Sequence, residues 1–185
     1  VPANCQPQWS TELGGRLTSP VVAGGKVFIA APDRHTVYAL DAASGKVLWH
    51  FVADGPVDSP PSFDRGAVLF GCRAGWVYCL RASDGELVWR FKDLPDRLIG
   101  AYNQLESKWP VSGSVLVQDG LVYFVAGRSS FLDGGILVYA LDAATGRVRH
   151  THHLEGPWPD ITKDVGAPFA MEGALPDLIV SDGRD

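Results

Sequence analysis

The 185-residue chain contains no apolar run approaching the roughly 18 residues that a membrane-spanning helix needs. It also lacks a basic excess. Sixteen Lys and Arg face 21 Asp and Glu, and the net charge of −5 argues against binding to a phosphate backbone. Cysteine is scarce, with three residues, too few for a disulfide scaffold and odd in number. Cys72 and Cys79 flank the short turn Arg73-Ala74-Gly75, which sets Cys79 opposite Leu69 rather than opposite Cys72. Their spacing matches no zinc pattern, and they read as buried structural thiols. No Gly-x-Ser-x-Gly, His-Glu-x-x-His or Gly-rich phosphate loop occurs, so no catalytic residue is assigned. Sustained 3.6-residue periodicity is missing too, which excludes helical repeats. Val1 is not an initiator Met and no basic segment with an apolar stretch follows it, so the chain reads as an excised or processed piece.

What the chain has in quantity is Gly and Pro, 21 and 13 residues, spread throughout as the turns of many short elements. It also repeats itself. Val37-Tyr38-Ala39-Leu40-Asp41-Ala42-Ala43-Ser44-Gly45-Lys46-Val47-Leu48-Trp49 recurs from Val77 to Trp89 and again from Val138 to His150. Tyr38 and Tyr78 are 40 residues apart, as are Trp9, Trp49 and Trp89 in succession. Each period holds four short stretches rich in β-branched and aromatic residues, separated by turns such as Ala23-Gly24-Gly25 and Ala42-Ala43-Ser44-Gly45. Four short strands per 40 residues describe one antiparallel propeller blade.

The unit Tyr-Ala-Leu-Asp-Ala-x-Ser/Thr-Gly-Lys-x-x-Trp resembles the quinoprotein-like (PQQ-like, BamB-type) β-propeller repeat. The resemblance covers residues 7 to about 153 and implies an all-β fold of four-stranded antiparallel blades. It further implies that Trp9, Trp49 and Trp89 pack between blades. Gly45, Gly85 and Gly146 close the turn before the outer strand, where a positive φ is expected. Asp41 and Asp142 are expected to accept backbone N–H groups in that turn. Arg81 replaces the Asp in the second unit, and His150 replaces the Trp in the third.

Tyr78 and Tyr139 are 61 residues apart, about 21 beyond the period. The excess lies in Asp93–Pro110 and Arg128–Gly135, two connections that antiparallel strands deliver to the same end of the blades. The resemblance makes that end the one where quinoprotein-type propellers place a ligand or cofactor. Loops elaborated on a rigid scaffold are where function concentrates. Candidate ligand-binding residues are Arg97, Tyr102, Asn103, Glu106, Lys108 and Trp109, a mix suited to a polar small ligand, a sugar or another protein chain. A packing loop that caps the funnel is the plainer alternative. Carboxylates Asp58, Glu106 and Asp133 belong to the same face, although sequence does not place them within reach of one another. His150, His152 and His153, followed by Trp158, Asp160 and Asp164, form a second cluster, read as an exposed outer strand rather than a metal site.

Counted in blades, residues 18–52, 58–92 and 111–153 are three full units, residues 7–13 a stray outer strand, and residues 166–185 part of a fourth. An incomplete ring or arc is therefore expected, with edges that other blades or domains of the parent protein, another protein chain, or a second copy would cover. The expected function is that of a non-catalytic binding or protein-interaction scaffold within a larger protein, without cofactor, nucleic acid or membrane span. The alternatives are a fragment of a quinone (PQQ)-dependent dehydrogenase with its calcium, or a module that recognises glycans or polymers. Quinone dehydrogenases use an adjacent Cys-Cys pair that this chain lacks. The resemblance implies a bacterial, extracytoplasmic protein, periplasmic or in the cell envelope.

Overall fold

A computed structural model describes residues 6–101, 104–156 and 179–182. They form three four-stranded antiparallel sheets, each strand paired with its sequence neighbour, and one two-stranded hairpin. The first sheet comprises β1 (Val21–Ala23), β2 (Lys26–Ala31), β3 (Thr36–Asp41) and β4 (Val47–Val52). The second comprises β5 (Ser62–Asp64), β6 (Ala67–Gly71), β7 (Val77–Arg81) and β8 (Leu87–Phe91). The hairpin β9 (Leu98–Ala101) and β10 (Gln104–Ser107) precedes the third sheet of β11 (Leu116–Gln118), β12 (Leu121–Ala126), β13 (Ile136–Asp142) and β14 (Val148–Leu154). These sheets are β-propeller blades standing side by side as an arc, with no sheet closed on itself among the described residues. Among the described residues no helix is long and apolar enough to cross a membrane.

The repeat is copied at the level of register. Ala39 pairs with Trp49 and Cys79 with Trp89, each just before a bulge, while Ala140 pairs with His150. One apolar core fills the seam between the first and second blades, and another fills the seam between the second and third. The same three rings recur in both. Phe51 meets Phe70 and Tyr78 at 6.2 and 5.4 Å between centroids, and Phe91 meets Phe124 and Tyr139 at 5.9 and 5.4 Å. The tyrosine hydroxyls donate across the seam, Tyr78 to Asp54 and Tyr139 to Asp93 at 3.4 Å. Aromatic pairs at these separations contribute roughly 0.5–1.5 kcal/mol beyond their area.

Two sequence expectations read differently in three dimensions. Residues 7–13 form no strand, with none paired to them among the described residues, yet Trp9 still docks on the first blade. The Asp93–Pro110 insertion, expected as a loop, contains the β9–β10 hairpin. The partial fourth blade lies outside the described residues except for 179–182, where Ile179 N–H donates to Ser114 Oγ at 3.2 Å.

Burial of thiols and phenols in these seams couples stability to alkaline pH. Burial pushes Cys79 from 9.0 up to about 11. Burial, helped by the Asp93 carboxylate, pushes Tyr139 from 10.0 up to about 12. Tyr78 and Cys72 shift upward for the same leading reason. The folded state therefore holds these protons more tightly than the unfolded chain. The resulting stability is complete below pH 9.0 and is lost as pH rises through about 11 and 12. Urea midpoints should stay level from neutral pH to about 9 and then fall, with Tyr139→Phe shallower in the upper part of that range. A Tyr139→Phe profile that overlays the parent above pH 10 would contradict the assignment.

Candidate functional site

The three indoles each reach into the turn of the following blade. Nε1 of Trp9, Trp49 and Trp89 donates to the carbonyls of Ala42, Ala82 and Ala143 at 3.0, 3.1 and 3.0 Å. Each indole lies on the glycine three residues beyond that carbonyl. A Cβ on Gly45, Gly85 or Gly146 would stand 2.4, 2.7 or 2.8 Å from the Trp9, Trp49 or Trp89 ring. These glycines also take φ of 71°, 78° and 68°, so the position rejects a side chain for two independent reasons. Asp41 Oδ1 accepts Ser44 N–H at 2.8 Å and Asp142 Oδ1 accepts Thr145 N–H at 3.0 Å. Where Arg81 replaces the aspartate, the acid has moved to Asp84, which takes the Arg81 Nε–H at 2.9 Å and the Glu86 N–H at 3.1 Å. His150 stands exposed at the register position of the missing tryptophan.

Both insertions converge at the opposite end of the blades, on a line of alternating charge. Asp33 accepts the Arg16 backbone N–H at 3.0 Å, and Arg16 Nη2 lies 3.4 Å from Asp58 Oδ1. Asp58 then binds Arg73 in a two-point pair, Nη2 to Oδ1 at 3.0 Å and Nε to Oδ2. Arg73 Nη1 donates to Glu106 Oε1 at 2.7 Å, and Arg128 Nη2 donates to Glu106 Oε2 at 3.0 Å. Gln104 Nε2 adds a bond to Glu106 Oε1 at 3.2 Å. The chain runs from solvent at Arg16 to Glu106, which is 3% exposed. Hydrogen bonding to Asp58, ahead of that to Glu106, raises the Arg73 pKa further still, so its charge is permanent. Lys108 pairs with Asp133 at 3.1 Å and ties the first insertion to the second a second time.

Of the sequence candidates, Glu106 and Lys108 take part in this meeting of loops. Trp109 packs half-buried beside them, its ring 5.9 Å from the Lys108 Nζ. Arg97 is exposed and joins through its backbone, its carbonyl accepting the Lys108 N–H at 2.9 Å. Tyr102 and Asn103 lie outside the described residues, as do Trp158, Asp160 and Asp164. Arg73, Arg128 and Arg16 were not singled out from sequence. The available signal was that Arg73 and Arg128 both follow the second strand of their blades, at the end where the insertions emerge. His153 Nε2 donates to the Gly134 carbonyl, and among the described residues no three His, Cys, Asp or Glu side chains converge as a metal requires.

The hairpin that carries Glu106 has two unlike faces. Leu98 pairs with Ser107 and Gly100 with Leu105, so these residues share one side, and Ile99, Ala101, Gln104 and Glu106 share the other. The Glu106 side is clasped by arginines. On the opposite side Leu98 and Leu105 are 56% and 70% exposed around the flat Gly100. Calcium prefers six or more oxygen ligands, many of them carboxylate. Both oxygens of Glu106 and of Asp58 are already held by arginine, so this donor set does not fit the metal of a quinone site.

The family model described as outer membrane protein assembly factor BamB matches residues 3–58 and 35–169. The dehydrogenase subunit of alcohol dehydrogenase (quinone) from Gluconacetobacter polyoxogenes is 30% identical over 159 residues, 78% of this chain and 21% of that protein. Outer membrane protein assembly factor BamB from Nitrosomonas eutropha is 31% identical over 86 residues, 46% of this chain and 21% of that protein. The chain thus spans about a fifth of the length of these relatives. Among solved structures, a europium-containing methanol dehydrogenase superposes with a TM-score of 0.63 at 19% identity, over 80% of this chain and 27% of that one. BamB from Moraxella catarrhalis superposes with a TM-score of 0.55 at 20% identity, over 74% of this chain and 40% of that one. Similarity to these structures concerns the fold. With Trp-to-turn docking repeated at three successive units and the family match running across them, the chain belongs to the PQQ-like, BamB-type β-propeller repeat family.

Proposed function

We propose that this arc is a non-catalytic protein-interaction scaffold of a larger extracytoplasmic protein, presenting the β9–β10 hairpin to a partner chain. The observation that carries the reading is the asymmetry of that hairpin. Its Glu106 face is fixed to the blades by two arginines, and its other face offers Leu98 and Leu105 to solvent. Exposed apolar side chains on a rigid support bury area against a partner at little ordering cost. Relatives named as an outer membrane assembly factor support an interaction role, and the dehydrogenase relatives supply the rival reading.

The test separates the two. A photo-crosslinking residue at Leu105 of the full-length protein in its native host should give a discrete protein adduct, lost on Leu98→Glu. A probe at exposed Val88 should give none. Adding pyrroloquinoline quinone with calcium should leave the absorbance spectrum unchanged. Equal labelling at Leu105 and Val88 would sink the interaction surface. A saturable spectral shift with alcohol-dependent dye reduction would favour the dehydrogenase reading instead.

A further inference from the structure

At the end of the blades away from the insertions, the first seam contains an open cleft of about 320 Å³. Half-buried Phe63 forms its wall, stacked on the fully buried Phe28 behind it at 5.7 Å between centroids and 18° between planes. Gly24, Lys26 and Gly66 line it, and Ala82 and Ser83 close its far side.

The repeat supplies an internal control. Turn-closing pairs Ala23–Lys26, Asp64–Ala67 and Gln118–Leu121 occupy the same position in successive blades. Gly24 of the first blade therefore corresponds to Arg65 of the second, and both take a positive φ, 55° and 43°. In the second seam the Arg65 guanidinium comes within 3.8 Å of where a Gly120 Cβ would stand. In the first seam nothing stands within 4 Å of the matching point on Gly66. Lys26 corresponds to Ala67, and the Phe28–Phe63 stack corresponds to Leu69 and Val117. Three departures from the repeat thus fall at one place: a missing side chain, an added ammonium, and an aromatic wall.

Lys26 lies on the same face of β2 as Phe28, because residues two apart share a face. It forms no ion pair among the described residues. The carboxylate opposite it, Asp41, has its Oδ1 taken up by Ala43, Ser44 and the Ser44 hydroxyl of its own turn. Asp41 and Lys26 attract each other through space, but no hydrogen-bonded ion pair joins them among the described residues. An aromatic surface beside such an ammonium recognises a flat ring that carries an anion. We propose that the cleft between the first and second blades binds a small aromatic carboxylate, its ring against Phe63 and its carboxylate on Lys26. This site is remote from the hairpin, so its failure would leave the interaction role untouched.

Indole-3-acetate is the probe, followed by amide chemical-shift changes in the full chain. Saturable shifts are expected at Gly24, Gly66 and Ser83, with tryptamine, the same ring carrying a cation, giving none. Lys26→Met should weaken binding at least tenfold. Gly24→Arg, which takes the positive φ that Arg65 adopts in the second blade, should remove binding at some cost in melting temperature, because a side chain there is strained. If that variant does not fold, Lys26→Met alone decides. Absence of saturation at millimolar probe, equal binding of tryptamine, or unchanged affinity in Lys26→Met would each overturn the proposal.

Discussion

Trp49→Ala should be the most damaging single tryptophan truncation, lowering stability by about 3–5 kcal/mol. Trp49 is 8% exposed, wedged between two complete blades, with its N–H on Ala82 and its ring on Gly85. Truncation empties a gap that Gly85 cannot fill, having no side chain to move into it. It also strands the Ala82 carbonyl, adding the cost of an unmade hydrogen bond. For a chain of this size each kcal/mol corresponds to about 2–4 °C, so thermal unfolding should shift by roughly 6–20 °C. Trp89 and Trp9 make the same hydrogen bond but are half-buried, so their alanine variants should fall below Trp49→Ala. Trp49→Phe should recover part of the loss by restoring a ring without the N–H. The picture fails if Trp49→Ala costs less than about 1 kcal/mol or ranks below Trp9→Ala.

This docking was legible because it is local in sequence and repeated. Tyr, Asp, Gly and Trp recur at fixed offsets, and each offset meets the same steric demand in every blade. The Tyr78–Asp54 and Tyr139–Asp93 contacts across the seams also leave a trace in sequence, an acid closely following Trp-x-Phe in Trp49-His50-Phe51 and Trp89-Arg90-Phe91. The trace is not a full repeat signal, because Trp9-Ser10-Thr11 lacks the Phe. The charged line was not legible for a different reason. Asp58, Arg73, Glu106 and Arg128 are 15, 33 and 22 residues apart in succession, and only Arg73 and Arg128 share a place in the repeat, just after the second strand of a blade. Sequence placed the two insertions at one end of the blades, but the partners of Glu106 follow only from how far the blades turn about the arc. The alternation within Leu98–Ala101 and Gln104–Ser107 was obscured by Gly100, which lowers strand propensity while leaving the flat spot between Leu98 and Leu105.

Arg73→Met should be the second large effect, and it probes what holds the hairpin in place. Arg73 is the shared member of two pairs. Its loss leaves Glu106 buried with only Arg128 and Gln104, and leaves Asp58 with the exposed Arg16. Removing one partner of a buried pair typically costs about 3–5 kcal/mol, because the remaining charge keeps its desolvation penalty without its counter-charge. Glu106→Gln should cost less, since Arg73 keeps Asp58, the amide oxygen still accepts one guanidinium N–H, and the Arg128 charge left without its carboxylate is partly exposed. Combining the two should cost less than the sum of the single changes, by about 0.5–3 kcal/mol, as expected for groups in one network. The charges are mostly buried, so the Arg73→Met loss should persist in 1 M salt, where the exposed Arg81–Asp84 pair is screened away. Urea titrations of the four proteins at low and high salt decide the matter. Additive single and double costs would mean that Arg73 and Glu106 are not coupled. The hairpin would then owe its position to its backbone bonds, Ser107 N–H to the Arg73 carbonyl at 3.0 Å and Val111 N–H to the Cys72 carbonyl at 3.1 Å. Non-additivity that survives salt would place the orientation of Leu98 and Leu105, and with it the interaction surface, under the control of one arginine.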